Sequence, residues 1–183
     1  MNHQLKISVI IPTYNEENSI KNTLIAVKQQ NCDLTYEVVV VDGQSTDNTV
    51  SIAKNFAKVY VSPKKGKASQ LNYGSSKTSG ELLIFLDADT IIPPDFFKII
   101  YQIFKDRKKL YACSARVNYD NGKAILFKLA SHQFIFTQYT ILNFNMHLFY
   151  LLKSLLGCPE LAGCNMIVRR EIFLKTGGFK NQI

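Results

Sequence analysis

Two aspartates close the apolar run LLIFLDAD, and they are the residues of this chain best suited to chemistry. Only Ala88 separates Asp87 from Asp89. In an extended chain, residues two apart point to one side with Cα atoms roughly 7 Å apart. That is too wide for a shared proton and suits neighbouring parts of one ligand. A hard divalent cation, Mn2+ or Mg2+, held by one or two carboxylates and by substrate phosphates is the chemistry such a pair supports. The plainer alternative is a strand-end pair that caps the next helix and faces solvent. Just upstream, SPKKGKASQLNYG sets Lys64, Lys65 and Lys67 around Gly66, ahead of a predicted helix. A lysine cluster alone is usually a solvated face, but a helix N-terminus favours anions. A cation site, lysines and a helix terminus together are what a diphosphate requires. Asp42, which ends VVVVD, either accepts from an N–H of a base or caps the turn after its strand.

The elements that must position these groups are legible in the pattern. KISVIIP (6–12), YEVVVVD (36–42), KVYV (58–61), ELLIFLDAD and LYACSARV (110–117) read as strands. The four consecutive valines suit a strand covered on both faces. Between the strands lie helical stretches. NEENSIKNTLIAVKQQ carries Ile20, Leu24 and Val27 at helical spacing, with acidic residues in its first turn. GQSTDNTVSIAKNFA offers Ser45, Thr46 and Asp47 as N-caps, and PPDFFKIIYQIF places Pro93 and Pro94 in a first turn. The alternation predicts an α/β fold, three-layered, with a mostly parallel central sheet. Ligands of such sheets bind beyond the carboxyl ends of the strands. PTYNEE, DGQSTD and DADT all fall there.

The chain of 183 residues suits a single domain with a real core. Its formal charge of +8 favours polyanionic partners: nucleic acid, anionic headgroups or a nucleotide diphosphate. Nucleic acid is set aside because the lysines form no recognition element. No G-x-G-x-x-G follows the first strand and no P-loop signature occurs, which excludes two common nucleotide-binding modes. The N-terminal apolar run is too short for a signal peptide, so cytoplasmic residence is expected, with peripheral attachment at the inner face of the cell membrane as an option. Cys32, Cys113, Cys158 and Cys164 lack metal-binding spacing and read as buried free thiols; His3, His132 and His147 form no ligand set with them.

Four blocks, ISVIIPTYNEENSI, VVVVDGQSTDNT, KKGKASQLNYGSSKTSGELLIFLDADT and GCNMIVRREIFLKTGGF, resemble the family-2 glycosyltransferases of GT-A (Rossmann-like) fold. The likeness runs almost continuously over residues 7–97 and resumes at 163–179. It implies a metal-dependent inverting transfer of a sugar from a nucleoside-diphosphate donor, UDP- or GDP-linked, to an acceptor hydroxyl, either on a sugar or on a lipid-linked acceptor. It further implies that Pro12 and Thr13 line the base and ribose, with Glu16 near the base. By the same likeness Asp42 accepts from the base, Lys67 lies near base and diphosphate, Asp87 lies near the ribose, and Asp89 ligates the metal, with Asp87 beside it. Residues 1–117 then form the nucleotide-sugar-binding half and 118–183 the acceptor side of the same domain.

Two departures stand out. Many members write two aspartates where this chain has Asp42-Gly43. The family also places its acidic catalytic pair after the GGF, whereas this chain continues only as KNQI. The catalytic base is therefore expected beyond Ile183, with Glu160 as the one candidate inside the chain, and Glu171 is expected to pair with the arginines before it. On that expectation the chain binds donor without transferring sugar, and a non-catalytic nucleotide-sugar- or membrane-binding module remains the rival reading. A nucleotidyltransferase of similar fold is another, although PTYNE stands where its glycine-rich opening would be. The segment 129–152 has no Asp, Glu, Lys or Arg. It reads as a helix packed on the sheet, an interfacial membrane helix, or a homodimer contact.

Overall fold

A computed structural model of the chain describes residues 5–114 and 165–180. Glu160, His132, His147, Cys158, Cys164 and the segment 129–152 lie outside the described residues, as does the stretch of the predicted fifth strand after Ser114.

In chain order the elements are β1 (Ile7–Thr13), α1 (Ile20–Lys28), β2 (Tyr36–Asp42), α2 (Thr49–Lys54), β3 (Lys58–Val61), α3 (Lys67–Ser76), β4 (Leu82–Phe85), α4 (Phe96–Asp106), β5 (Ala112–Ser114), β6 (Met166–Arg169) and α5 (Arg170–Lys175). One six-stranded sheet has the order β3-β2-β1-β4-β6-β5. The pairs β1–β2, β1–β4 and β2–β3 are parallel, while β6 runs antiparallel to both β4 and β5. The late strand β6 thus inserts between β4 and β5.

Alternation along the strands divides the core in two. Ile7, Val9, Ile11, Val40, Leu82 and Ile84 pack with Leu24 and Val27 of α1 and with Phe97, Ile100 and Phe104 of α4. Ile10, Val39, Val41, Leu83 and Phe85 face the other way, onto Leu71 of α3 and Phe173 of α5. The valine run of β2 is covered on both sides for this reason, and the layers are helix, sheet, helix.

Several local expectations are corrected. The first turn of α1 has no acidic residue, because the helix begins at Ile20, after the two glutamates. The N-cap position of α2 is Asn48, and Asp47 serves from one residue earlier, accepting from the Thr49 N–H at 3.0 Å. Pro93 and Pro94 precede α4, whose N-cap position is Asp95. The Pro93 carbonyl is occupied by the Gln30 side chain and by the Phe96 N–H, which makes the approach to the helix a separate turn.

Glu37 shows how β2 is anchored at its amino end. Its Oε1 accepts from the Ser8 hydroxyl at 2.8 Å and the Ser79 N–H at 2.7 Å, and Lys6 Nζ lies 3.4 Å away. Partial burial pushes the carboxyl up, but those hydrogen bonds and the lysine charge outweigh it and hold Glu37 below the ordinary glutamate range. A lowered carboxyl pKa contributes stability above the unfolded value, about 4.3, and loses it as pH falls through the folded one. The stability of Glu37→Gln should therefore lie below wild type at neutral pH by under about 1 kcal/mol, read as a lower melting temperature, since the site is partly solvated. The gap should close on acidification; a gap that persists in acid would contradict this assignment.

Candidate functional site

The parallel strands deliver their polar ends to one edge. β1 and β2 finish level, with Thr13 opposite Asp42. Both side chains are buried, Asp42 to 1 % exposure. The Asp42 carboxylate accepts from the Thr13 hydroxyl at 3.2 Å, the Ser45 hydroxyl at 2.5 Å and the Ser45 N–H at 2.8 Å. A carboxylate offers about four acceptor positions, so three are spent on the turn and one is left. Turn-holding is thus visible, and it does not exhaust the group. An asparagine here must turn its NH2 toward the Ser45 N–H or toward the two hydroxyls. Asp42→Asn should lose about 1–3 kcal/mol, read as a fall in melting temperature of at least roughly 2–4 °C. Unchanged melting would mean these bonds are dispensable.

The loops after β1 and β2 are laced together. The Asn15 N–H donates to Ser45 Oγ and the Thr46 N–H to Asn15 Oδ1, both at 2.9 Å. The Glu16 N–H donates to Thr49 Oγ1 at 2.7 Å, and the Glu17 N–H to Asp47 at 3.1 Å. Asn15 (φ 54°) and Gln44 (φ 70°) hold left-handed backbone in these same loops. Such conformations are sparse in non-glycine residues and are maintained by their surroundings.

Pro12 marks where β1 loses a neighbour. The Leu86 N–H donates to the Ile10 carbonyl, so the backbone polar groups of Ile10, and by alternation those of residue 12, face β4. β4 ends at Phe85, opposite Ile10, and a missing N–H at Pro12 is harmless there. The gap between the ends of β1 and β4 is the place where the strand order reverses, which is where sheets of this kind open a binding crevice.

The aspartate pair lines that gap in a form the sequence did not suggest. Strand geometry stops before it, and Asp87 to Thr90 form a turn in which the Thr90 N–H donates to the Asp87 carbonyl at 3.1 Å. The extended side-by-side arrangement is therefore corrected: the chain bends because the Ala88 carbonyl accepts from the buried Thr23 hydroxyl of α1 at 2.7 Å. Asp87 is half-buried and Asp89 exposed. Lys67, the first residue of α3, places its Nζ 2.6 Å from Asp87 Oδ1. Gly66 before it has φ 105°, and the Lys65 ammonium sits over the Tyr14 ring, 5.8 Å from its centroid. Among the described residues no three His, Cys, Asp or Glu side chains converge on a metal position. Asp87, which already holds a cationic group, with the exposed Asp89 two residues on, fits a hard cation that takes its remaining ligands from phosphates and water.

Gln70 is the residue that sequence reasoning missed. Its Nε2 donates to the Thr13 carbonyl at 2.7 Å and the Val41 carbonyl at 2.8 Å, so α3 clasps the ends of β1 and β2 from a fully buried amide. A Cβ on Gly43 would lie 2.9 Å from that nitrogen. The glycine in Asp42-Gly43 is thereby explained: the Gln70 amide fills the space its side chain would need. The signal in the sequence was faint, a polar residue next to Leu71 on the buried side of a helix.

The block after residue 164 supports the edge from behind. The described partners of both arginines are on other elements, not Glu171. Arg169 reaches the carbonyls of Phe104 and Leu110, and Arg170 those of Ser75 and Gly80. The Asn72 side chain pairs with both backbone groups of Phe179, at 2.8 and 2.9 Å, fixing the turn through Gly177 and Gly178.

The family model described as glycosyl transferase family 2 matches residues 8–177. The chain belongs to glycosyl transferase family 2. Within that family, the poly-beta-1,6-N-acetyl-D-glucosamine synthase of Staphylococcus epidermidis is 31% identical over 137 residues, covering 70% of this chain and 32% of the relative. This family-2 chain also superimposes on S. aureus TarS 1-349 in complex with UDP-GlcNAc (TM-score 0.67, 25% identity, 94% of this chain and 48% of that one). A mannosyltransferase from Pyrobaculum calidifontis in complex with GDP-Man and Mn2+ gives TM-score 0.67 at 22% identity, over 98% and 48% of the two chains. The fold is that of the GT-A glycosyltransferases. The chain spans about a third of the length of the curated relatives it matches. No helix among the described residues is long and apolar enough to cross a membrane.

Proposed function

We propose that this chain is the donor-binding part of a metal-dependent, inverting glycosyltransferase that uses a nucleoside-diphosphate sugar. The observation that carries the reading is the convergence of Thr13, Asp42, Lys67 and Asp87 on the carboxyl edge of three adjacent strands, β2, β1 and β4. Donors of this class occupy related folds: the TarS structure holds UDP-GlcNAc and the Pyrobaculum enzyme holds GDP-Man with Mn2+.

In this reading Pro12, Thr13 and Glu16 line the nucleoside, and the remaining acceptor position of Asp42 takes an N–H of the base. Lys67, now paired with Asp87, would turn toward the diphosphate with a divalent cation held beside that carboxylate. Asp89, with Asp87 beside it, would hold Mn2+ or Mg2+, which when bound supplies Lewis-acid neutralisation of the leaving diphosphate. An acceptor hydroxyl, on a sugar or a lipid-linked acceptor, attacks the anomeric carbon from the face opposite the leaving group. The new C–O bond forms as the bond to the diphosphate oxygen breaks, and the hydroxyl proton passes to a carboxylate base.

Calorimetric titration with UDP and GDP, each with and without Mn2+, tests the proposal. One nucleotide should bind in the micromolar range or tighter and only with metal. Failure of both to bind, with the fold intact by circular dichroism, would overturn it.

A further inference from the structure

Asn165 immediately precedes β6 with left-handed backbone, φ 54°, and is 4 % exposed. Its side-chain Oδ1 is buried and has no hydrogen-bond partner among the described residues. Buried polar atoms are almost always paired, so an orphan acceptor in a native fold marks a group awaiting a partner. Its place narrows what that partner is. The β4–β6 register pairs Phe85 with Met166, which sets Asn165 opposite Leu86, the residue before Asp87, at roughly the 5 Å of antiparallel neighbours.

The sheet then reads as a ruler along the crevice. From β2 through β1 and β4 to β6 are three strand spacings, roughly 14 Å in all. Under the proposed function, on which this inference rests, the base lies at the β2 and β1 ends and the diphosphate at the end of β4. The next group along that line, over the start of β6, is the sugar. A diphosphate has no hydrogen to offer an amide oxygen, whereas a sugar hydroxyl does.

We propose that Asn165 is a specificity-determining residue whose Oδ1 accepts a hydrogen bond from a hydroxyl of the donor sugar. The test uses the full chain with Mn2+ and compares UDP with UDP-GlcNAc, and GDP with GDP-mannose, in wild type, Asn165→Gly and Asn165→Asp. Glycine keeps the left-handed backbone and removes the acceptor; aspartate keeps both. For the nucleotide that binds, affinity should stay within about twofold in both variants. The gain in affinity that wild type draws from the attached sugar should fall about tenfold in Asn165→Gly and return in Asn165→Asp, the scale of one buried hydrogen bond. Equal losses for nucleotide and nucleotide sugar would overturn the inference, as would no loss at all. Should the glycine variant not fold, a sugar gain lost equally in a well-folded Asn165→Asp would overturn it too. A wild-type chain that binds nucleotide but gains nothing from either sugar defeats this inference alone, whereas one that binds no nucleotide defeats the functional reading as well.

Discussion

Asp89→Ala should abolish metal-dependent nucleotide binding, weakening it by on the order of a hundredfold, while leaving the melting temperature almost unchanged. The side chain is exposed on the turn after β4 and belongs to neither core cluster. Substitutions at such positions usually stay within about ±0.5 kcal/mol. Its proposed work is electrostatic, and even groups one step removed from a metal lower its affinity 10- to 100-fold, roughly, when lost. Asp87→Ala should behave differently. It also frees Lys67, whose ion pair, half-exposed on the lysine side, contributes about 0–1 kcal/mol. A positive charge then remains to attract diphosphate without metal, so Asp87→Ala should retain some binding in chelator where wild type has none. Calorimetry with and without Mn2+ reads both variants. Wild-type affinity of Asp89→Ala in Mn2+, lost in chelator as in the wild type, would remove Asp89 from the site.

The second large effect is expected at Gly43 and Gln70, and it is a coupling. Gly43→Asp forces a Cβ to within 2.9 Å of Gln70 Nε2 and 3.2 Å of the Thr13 carbonyl oxygen. The amide can yield only by breaking its two bonds to the strand ends. Each single change, Gly43→Asp or Gln70→Ala, should therefore destabilise by roughly 1–3 kcal/mol, the range for disturbing buried hydrogen-bonded groups. In the double variant the aspartate enters space the glutamine has vacated, so the costs should sum to less than their parts, by about 0.5–3 kcal/mol. The Thr13 carbonyl keeps the Gly43 N–H as a partner at 2.8 Å, which softens the loss of Gln70 there. Chemical denaturation of the four proteins measures the cycle; strict additivity would show that the two residues do not share the space.

The frame of this chain was legible because its signals are local. Four valines in a row, Ile20, Leu24 and Val27 at helical spacing, and apolar runs closed by polar residues each report their surroundings within a few residues; β1 to β3 lie where those patterns place them, and β4 begins there but ends at Phe85, before the aspartates. Three things were not legible, each for a physical reason. The bend at Asp87–Thr90 depends on the Thr23 hydroxyl, which no pattern near residue 87 announces. Gln70 acts through contacts 57 and 29 residues away, so its neighbours in sequence say nothing of them. The position of β6 between β4 and β5 is a choice of partner, and short apolar runs such as MIVR do not encode which strand they will join.

That insertion has a consequence for how the chain reaches its native state. During synthesis β1, β2, β3 and β4 emerge early and can pair at once, but one edge of β4 stays uncovered until Met166–Arg169 arrive. An unpaired edge beside an apolar strand such as LLIF invites association with other chains. The bonds that close it are among the most distant in the described structure: Arg170 reaches back 95 residues to Ser75 and 90 to Gly80. Non-local pairings of this kind delay folding, because the entropy of closing the loop between them is lost before the contacts reward it. The two arginines are thus a latch thrown late, and the crevice edge at Asp87 acquires its full backing only when they close.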